Sequence, residues 1–181
     1  MHPAHTPRHA AADHAERIEP AAAALPDGRV LTLDLAWRGG RIAGARLGLA
    51  AKPKALGRST EAGKAVALGM RNLIAGKDAD FSELPLCWDG VPPFTAAILR
   101  TLFEKVPAGR KLTYGELAAL AGHPGKARAV GQAMARNPWP LIVPCHRVLG
   151  ANGALTGYTN PHGLDLKALL LALESSPGAK A

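Results

Sequence analysis

The sequence predicts an α+β chain. A small sheet-bearing unit precedes a mainly helical unit that carries a helix-turn-helix, winged-helix-like motif. Three observations lead there. Leu31, Leu33, Leu35 and Trp37 alternate with mostly polar neighbours, the period of a half-buried strand. After Asp89-Gly90-Val91-Pro92-Pro93 the apolar spacing becomes helical, through Phe94, Ala97, Ile98 and Leu102. Thr113-Tyr114-Gly115-Glu116 then opens two short helices joined by a glycine-containing turn.

Taken in order, residues 1–24 are rich in Ala, Pro and His and lack periodicity, so a disordered arm is expected. His2, His5, His9 and His14 fit no strong metal-ligand template, and no metal site is expected. The first unit spans 25–90. Gly39-Gly40 turns the Leu31–Trp37 strand into a hairpin whose return strand is Ile42–Leu49. Ser59 is the expected cap of a helix to about Ala75, with Ala62, Val66, Met70 and Leu73 on one face. Leu84–Trp88 reads as a short strand, and Cys87 as a small packed hydrophobe. The second unit spans 91–175, and 176–181 is expected to be a flexible tail. The last helix should begin after Leu164-Asp165, with Asp165 as its cap, Leu164 and Leu169 as a staple and Leu166, Leu169, Leu170 and Leu173 buried.

Composition narrows the function. The 181 residues are 48% hydrophobic, enough for a core, and the formal net charge of +8 favours an anionic partner such as nucleic acid. Nine Lys/Arg face four acids between Val91 and Glu174, so the basic excess lies in the motif-bearing half. Two cysteines make no disulfide framework, which points to a reducing, cytoplasmic setting. No signal peptide or membrane-spanning stretch is evident, and a monomer without a membrane partner is expected.

The two short helices suggest a DNA surface. Thr113 and Glu116 can cap each other across the first turn. The second helix, about Lys126 to Arg136, has an inner stripe of Ala127, Val130 and Met134. Small residues there, Ala129 and Gly131 among them, let its backbone approach a groove. Arg128 is the long cation able to reach into a duplex, with Gln132 and Arg136 beside it. Asn137-Pro138 ends the helix, Asn by tolerating a left-handed cap.

The chemistry centres on Val143-Pro144-Cys145-His146-Arg147-Val148. The apolar, proline-broken run Trp139–Pro144 can set Cys145 at the floor of a pocket. A thiol reacts as a thiolate and needs a base. His146 is the nearest base, yet adjacent side chains in an extended chain face opposite ways. The pair therefore requires a turn or an intervening water. Glu174 is the available carboxylate to orient the imidazole. A loop from Gly150 to Gly163, with Tyr158 in it, is placed to cover a substrate.

Together these residues resemble the O6-alkylguanine-DNA alkyltransferases (methylated-DNA–protein-cysteine methyltransferases). The likeness runs from about Pro93 to Glu174. It covers Thr113–Ala118, Ala127-Arg128-Ala129-Val130-Gly131, Asn137-Pro138, Val143–Val148 and Gly153 to Tyr158. It implies irreversible, once-only transfer of an alkyl group from O6-alkylguanine in duplex DNA to Cys145, after base flipping and without a cofactor. It further implies that Arg128 replaces the extruded nucleotide. Thr113, Tyr114, Gln132, Ala127, Ala129 and Gly131 share the DNA contact. Tyr114 protonates the leaving guanine, His146 acts as base through a water, and Glu174 holds the imidazole. Asn137, Pro140, Val148, Tyr158 and Thr159 form the substrate-binding set. The chain departs from the family's pattern in two places. Its Tyr158–Gly163 loop is about two residues longer, and Lys167-Ala168-Leu169-Leu170 lacks a tryptophan. A zinc site of the kind found in some relatives is not expected with Cys87 alone in the first half. A lesion-binding protein without transfer, and a helix-turn-helix regulator, are the alternatives; a Cys-His hydrolase would need an oxyanion-hole motif that is not evident.

Overall fold

The computed structural model describes residues 16–52, 59–157, 160 and 162–175. Three antiparallel strands form a meander in the order β1 (Arg17–Ala24), β2 (Val30–Arg38) and β3 (Arg41–Ala50). Helix α1 (Glu61–Ile74) packs on β1. Then come α2 (Pro93–Lys105), β4 (Leu112–Thr113), α3 (Tyr114–Leu120), α4 (Ala127–Ala135), β5 (Val148–Leu149) and α5 (Gly163–Glu174). The short strands β4 and β5 pair in parallel. The fold is the expected α+β arrangement.

The hairpin forms as the alternation predicts. Leu31, Leu33 and Leu35 of β2 are fully buried, and Gly39 and Gly40 both take positive φ at the turn. The expected disordered arm is corrected over its last eight residues: Arg17–Ala24 is β1, paired along its whole length with β2. Its inward face is Glu19, Ala21 and Ala23, too small and polar to give a period-two signal. Glu19 is buried because it accepts from Thr60 N (2.6 Å) and Thr60 Oγ1 (2.9 Å) at the start of α1. Thr60, not Ser59, caps that helix, accepting from Gly63 N at 3.0 Å. The four histidines at positions 2 to 14 lie outside the described residues.

Leu84–Trp88 contributes an isolated bridge, Ile42 with Leu86, rather than a strand. Helix α5 starts two residues before Asp165. His162 occupies its N-cap and Asp165 makes no cap bond, while Leu164 is exposed. The α5 buried face is Leu166, Lys167, Leu170, Leu171 and Glu174.

The core is continuous from Leu31 and Met70 through Leu99, Leu117 and Trp139 to Leu166 and Leu170. The segment after α4 is pinned to β3: Ala45 N donates to Pro138 O (2.7 Å), and Trp139 Nε1 donates to Ile42 O (2.8 Å). Among the described residues no helix is long and apolar enough to cross a membrane.

Candidate active site and nucleic-acid interface

The helix pair forms as expected. Thr113 Oγ1 accepts from Glu116 N at 3.2 Å, and Glu116 Oε2 accepts from Thr113 N at 2.6 Å, closing the capping box. Val130, Ala133 and Met134 anchor α4 inward, while Ala127 is only half-buried. Arg128 and Gln132 are exposed. Asn137 does not take the expected left-handed conformation. Among described non-glycine residues only Leu141 (φ 75°) and Asn152 (φ 59°) do. Asn137 instead works through its side chain: Nδ2 donates to Val143 O (2.8 Å) and Oδ1 accepts from Trp139 N (3.0 Å). It thereby holds the end of α4 to the run that delivers Cys145. Leu141, buried in that run, bears the left-handed backbone, a strain of roughly 1–2 kcal/mol sustained by surrounding packing.

Cys145–Arg147 is a single 3₁₀ turn, which answers the requirement for a turn at the Cys-His pair. Cys145 is buried and His146 is wholly inaccessible. His146 Nε2 and Glu174 Oε1 are 2.8 Å apart. Arg147 completes the network: its Nε donates to both Glu174 oxygens (3.0 and 3.1 Å), Nη2 to Oε1 (2.8 Å) and Nη1 to Val106 O (2.6 Å). Burial works to raise the Glu174 pKa, but His146 and Arg147 outweigh it and hold the carboxyl at about 2. A carboxylate only accepts, so His146 carries its hydrogen on Nε2. Its Nδ1 is then an acceptor, buried and without a partner among the described residues. Burial also lowers the His146 pKa and keeps the ring neutral. Burial pushes the Cys145 thiol up, against the pull of the Asn137 amide and the Lys167 charge. A protonated thiol thus shares a turn with a neutral, oriented base.

A cavity of about 740 Å³ opens between the helix pair and the loop after β5. Thr113, Tyr114, Ala127, Arg128 and Gly131 line it, together with Asn152, Thr156 and Gly157. Tyr114 donates its hydroxyl to Thr156 O (3.2 Å), and burial raises its pKa, so it stays a proton donor. Gly157 has φ +66°, and a Cβ there would lie 2.5 Å from the Tyr114 hydroxyl.

Other expected site residues fall elsewhere. Cys145, expected at the floor of a pocket, is not among the residues lining this cavity, nor are His146, Glu174, Ala129, Gln132, Asn137, Pro140 and Val148; Tyr158 and Thr159 lie outside the described residues. Val148 is fully buried, and its carbonyl accepts from Lys167 Nζ (2.7 Å). Lys167 also donates to Thr156 O (2.8 Å) and is inaccessible to solvent; burial lowers its pKa. Arg147 and Lys167 are the site residues that sequence reasoning missed, having counted both as basic surface. A lysine on the Leu166–Leu170 face of α5 was the available signal.

Residues 93–176 match the family described as 6-O-methylguanine DNA methyltransferase, DNA binding domain. A methylated-DNA–protein-cysteine methyltransferase of Methanosarcina acetivorans is 56% identical over 73 residues, 40% of this chain and 46% of that protein. The matches to curated relatives span about half of those proteins' length. Over nearly the whole chain, the structure resembles the O6-methylguanine methyltransferase of Mycobacterium tuberculosis. The TM-score is 0.67 at 31% identity, covering 91% of this chain and 97% of that one. The M. tuberculosis OGT in complex with DNA gives a TM-score of 0.65 at 31% identity, covering 89% and 95%. With its helix pair, its Cys-His turn and a match along the whole fold, the chain belongs to the O6-methylguanine-DNA methyltransferase family.

Proposed function

We propose that this protein repairs DNA by transferring the alkyl group of O6-alkylguanine irreversibly to Cys145. The carrying observation is the buried thiol on one turn with His146, whose imidazole is held by Glu174 and Arg147. That turn follows a helix pair whose cavity carries Arg128 and Tyr114. A stacked, paired guanine cannot present its O6 substituent to a buried thiol, so the nucleotide must leave the duplex. Arg128, exposed on α4, fills the space it vacates. Thr113, Ala127, Gly131 and Gln132 contact the strand near it. The second unit, 91–175, thus holds both the DNA surface and the acceptor.

The chemistry balances as a displacement at carbon. His146 Nδ1 takes the thiol proton through a water, and Glu174 stabilises the imidazolium that results. The thiolate attacks the alkyl carbon, an S–C bond forms and the C–O bond breaks. Tyr114 gives its proton to the departing guanine. The thioether is stable in water, so each molecule acts once. The roles need no metal or organic cofactor. The protein acts as a cytoplasmic monomer on double-stranded DNA.

The test is intact-protein mass spectrometry after incubation with a duplex containing one O6-methylguanine, followed by peptide mapping. A gain of one methyl group on the Cys145 peptide, stopping at one per molecule, is expected. Lesion-selective binding with no mass gain would replace transfer by recognition alone.

A further inference from the structure

Ile42 of β3 is a junction between the sheet and the active-site run. Its carbonyl oxygen accepts from Cys87 N (2.9 Å) and from Trp139 Nε1 (2.8 Å). Both lone pairs are thereby engaged. Trp139 is wholly inaccessible, and its ring is tilted against Trp88 with centroids 4.6 Å apart. The Arg100 guanidinium of α2 lies over the Trp88 ring at 4.1 Å. Packing therefore holds the indole, and one hydrogen bond aims it.

The backbone of the same residue belongs to a closed ring of hydrogen bonds. Trp139 N donates to Asn137 Oδ1 (3.0 Å), Val143 N donates to Trp139 O (2.8 Å), and Asn137 Nδ2 donates to Val143 O (2.8 Å). Val143 O also accepts from Cys145 N (2.8 Å), so the ring ends on the backbone of the acceptor itself. Within it Leu141 holds φ 75°, a conformation that a leucine keeps only where its surroundings impose it. The ring has shape but no anchor of its own. Two bonds to β3 supply one: Ala45 N to Pro138 O, and the Trp139 indole to Ile42 O. The second is made by a side chain, so a substitution can remove it and leave the backbone path as it is.

We propose that Trp139 is a positioning residue for the alkyl acceptor: its indole hydrogen bond to Ile42 fixes the Asn137–Val143 ring on the sheet and so holds the Asn137 amide at the Cys145 thiol. The proposal rests on the alkyl-transfer reading above. The groups that face the thiol are that amide, Lys167 of α5, Tyr114 of α3 and His146 on its own turn. The amide favours the thiolate, so loosening it should raise the pH at which transfer is half-maximal. The test is Trp139→Phe in the full-length protein, which keeps an aromatic ring and loses the N–H. Single-turnover transfer from a duplex carrying O6-methylguanine is read by intact mass from neutral to alkaline pH. The maximal rate constant should fall about fivefold, the factor that one hydrogen bond of ordinary net strength carries. The pH midpoint should move upwards, and duplex affinity should stay, since the α3–α4 surface is untouched. Trp88→Leu removes the ring contact but keeps the hydrogen bond; it should lower Tm and leave the pH midpoint in place. A W139F protein that transfers with the native rate and midpoint, whatever its Tm, overturns the proposal alone. An equal midpoint shift in W88L does the same, by assigning the effect to packing. Absence of transfer by the unmodified protein overturns the alkyl-transfer reading and takes the proposal with it.

Discussion

Glu174→Gln is the sharpest perturbation of the site, because it keeps the shape and removes only the charge. In the native protein one carboxylate accepts from His146 Nε2 and from two nitrogens of Arg147. The glutamine has a single accepting oxygen. Turned towards Arg147, that oxygen leaves an NH₂ facing His146, and the imidazole must move its hydrogen to Nδ1. The base then has nothing with which to accept a thiol proton. Turned towards His146, it leaves an NH₂ against the guanidinium of a nearly buried arginine. Depression of the Glu174 pKa from 4.5 to about 2 corresponds to ~3 kcal/mol of stability at neutral pH. For a chain of this size that is roughly 6–12 °C in Tm. Transfer to Cys145 should slow by about 10²–10⁴, the usual worth of a positioned general base.

The pH dependence supplies the sign. A carboxyl with a depressed folded-state pKa stabilises fully above its unfolded value of 4.5, and the contribution fades as pH falls towards 2. His146, also depressed, adds a loss of stability in the same direction below its ordinary value of 6.5. The stability gap between the native protein and the Gln variant should thus be widest at pH 7 and shrink steadily from about pH 5 downwards. Urea titrations across that range and single-turnover mass spectrometry at pH 7 measure both halves. A variant melting within ~2 °C of the native protein and transferring at its rate would refute the reasoning.

Three further outcomes are expected. Arg128→Ala should slow transfer from duplex DNA by at least tenfold while sparing transfer from free O6-alkylguanine base; equal losses on both would remove Arg128 from base extrusion. Lys167→Met removes the buried cation that lowers the Cys145 pKa and strips a donor from Val148 O and Thr156 O. The pH for half-maximal transfer should therefore move upwards, and an unmoved profile would deny the Lys167 charge any part in thiol ionisation. Duplex affinity should fall as salt rises, since phosphate contacts release counterions; salt-independent binding would count against a basic DNA surface.

Much of the fold was legible because its signals are local. The β2–β3 hairpin is written in alternating leucines and two glycines, and α3 in a capping box that needs only four residues. What was not legible depends on partners far along the chain. Strand β1 has two alanines and a glutamate on its inward face where a strand signal needs bulk; its inward Glu19 makes sense only once Thr60 arrives, 41 residues later. The N-cap of α5 follows the same logic. Asp165 is the better capping residue by type, yet the chain turns into the helix at His162, whose side chain is held by β3.

The candidate site divides in the same way, and the division changes the reading of charge. Cys145, His146 and the helix pair are contiguous, so residue type and order disclosed them. Glu174 was reachable as the carboxylate near the end of the last helix. Arg147 and Lys167 were misread because a sequence displays charge but not burial. Two of the nine cations counted between Val91 and Glu174 are consumed inside, one against Glu174 and one on backbone carbonyls. They orient the base and brace the pocket wall instead of meeting phosphate. The charge available to DNA in this half is correspondingly smaller than composition implies. The salt dependence of binding should accordingly report exposed cations such as Arg128, and be insensitive to neutralising Lys167.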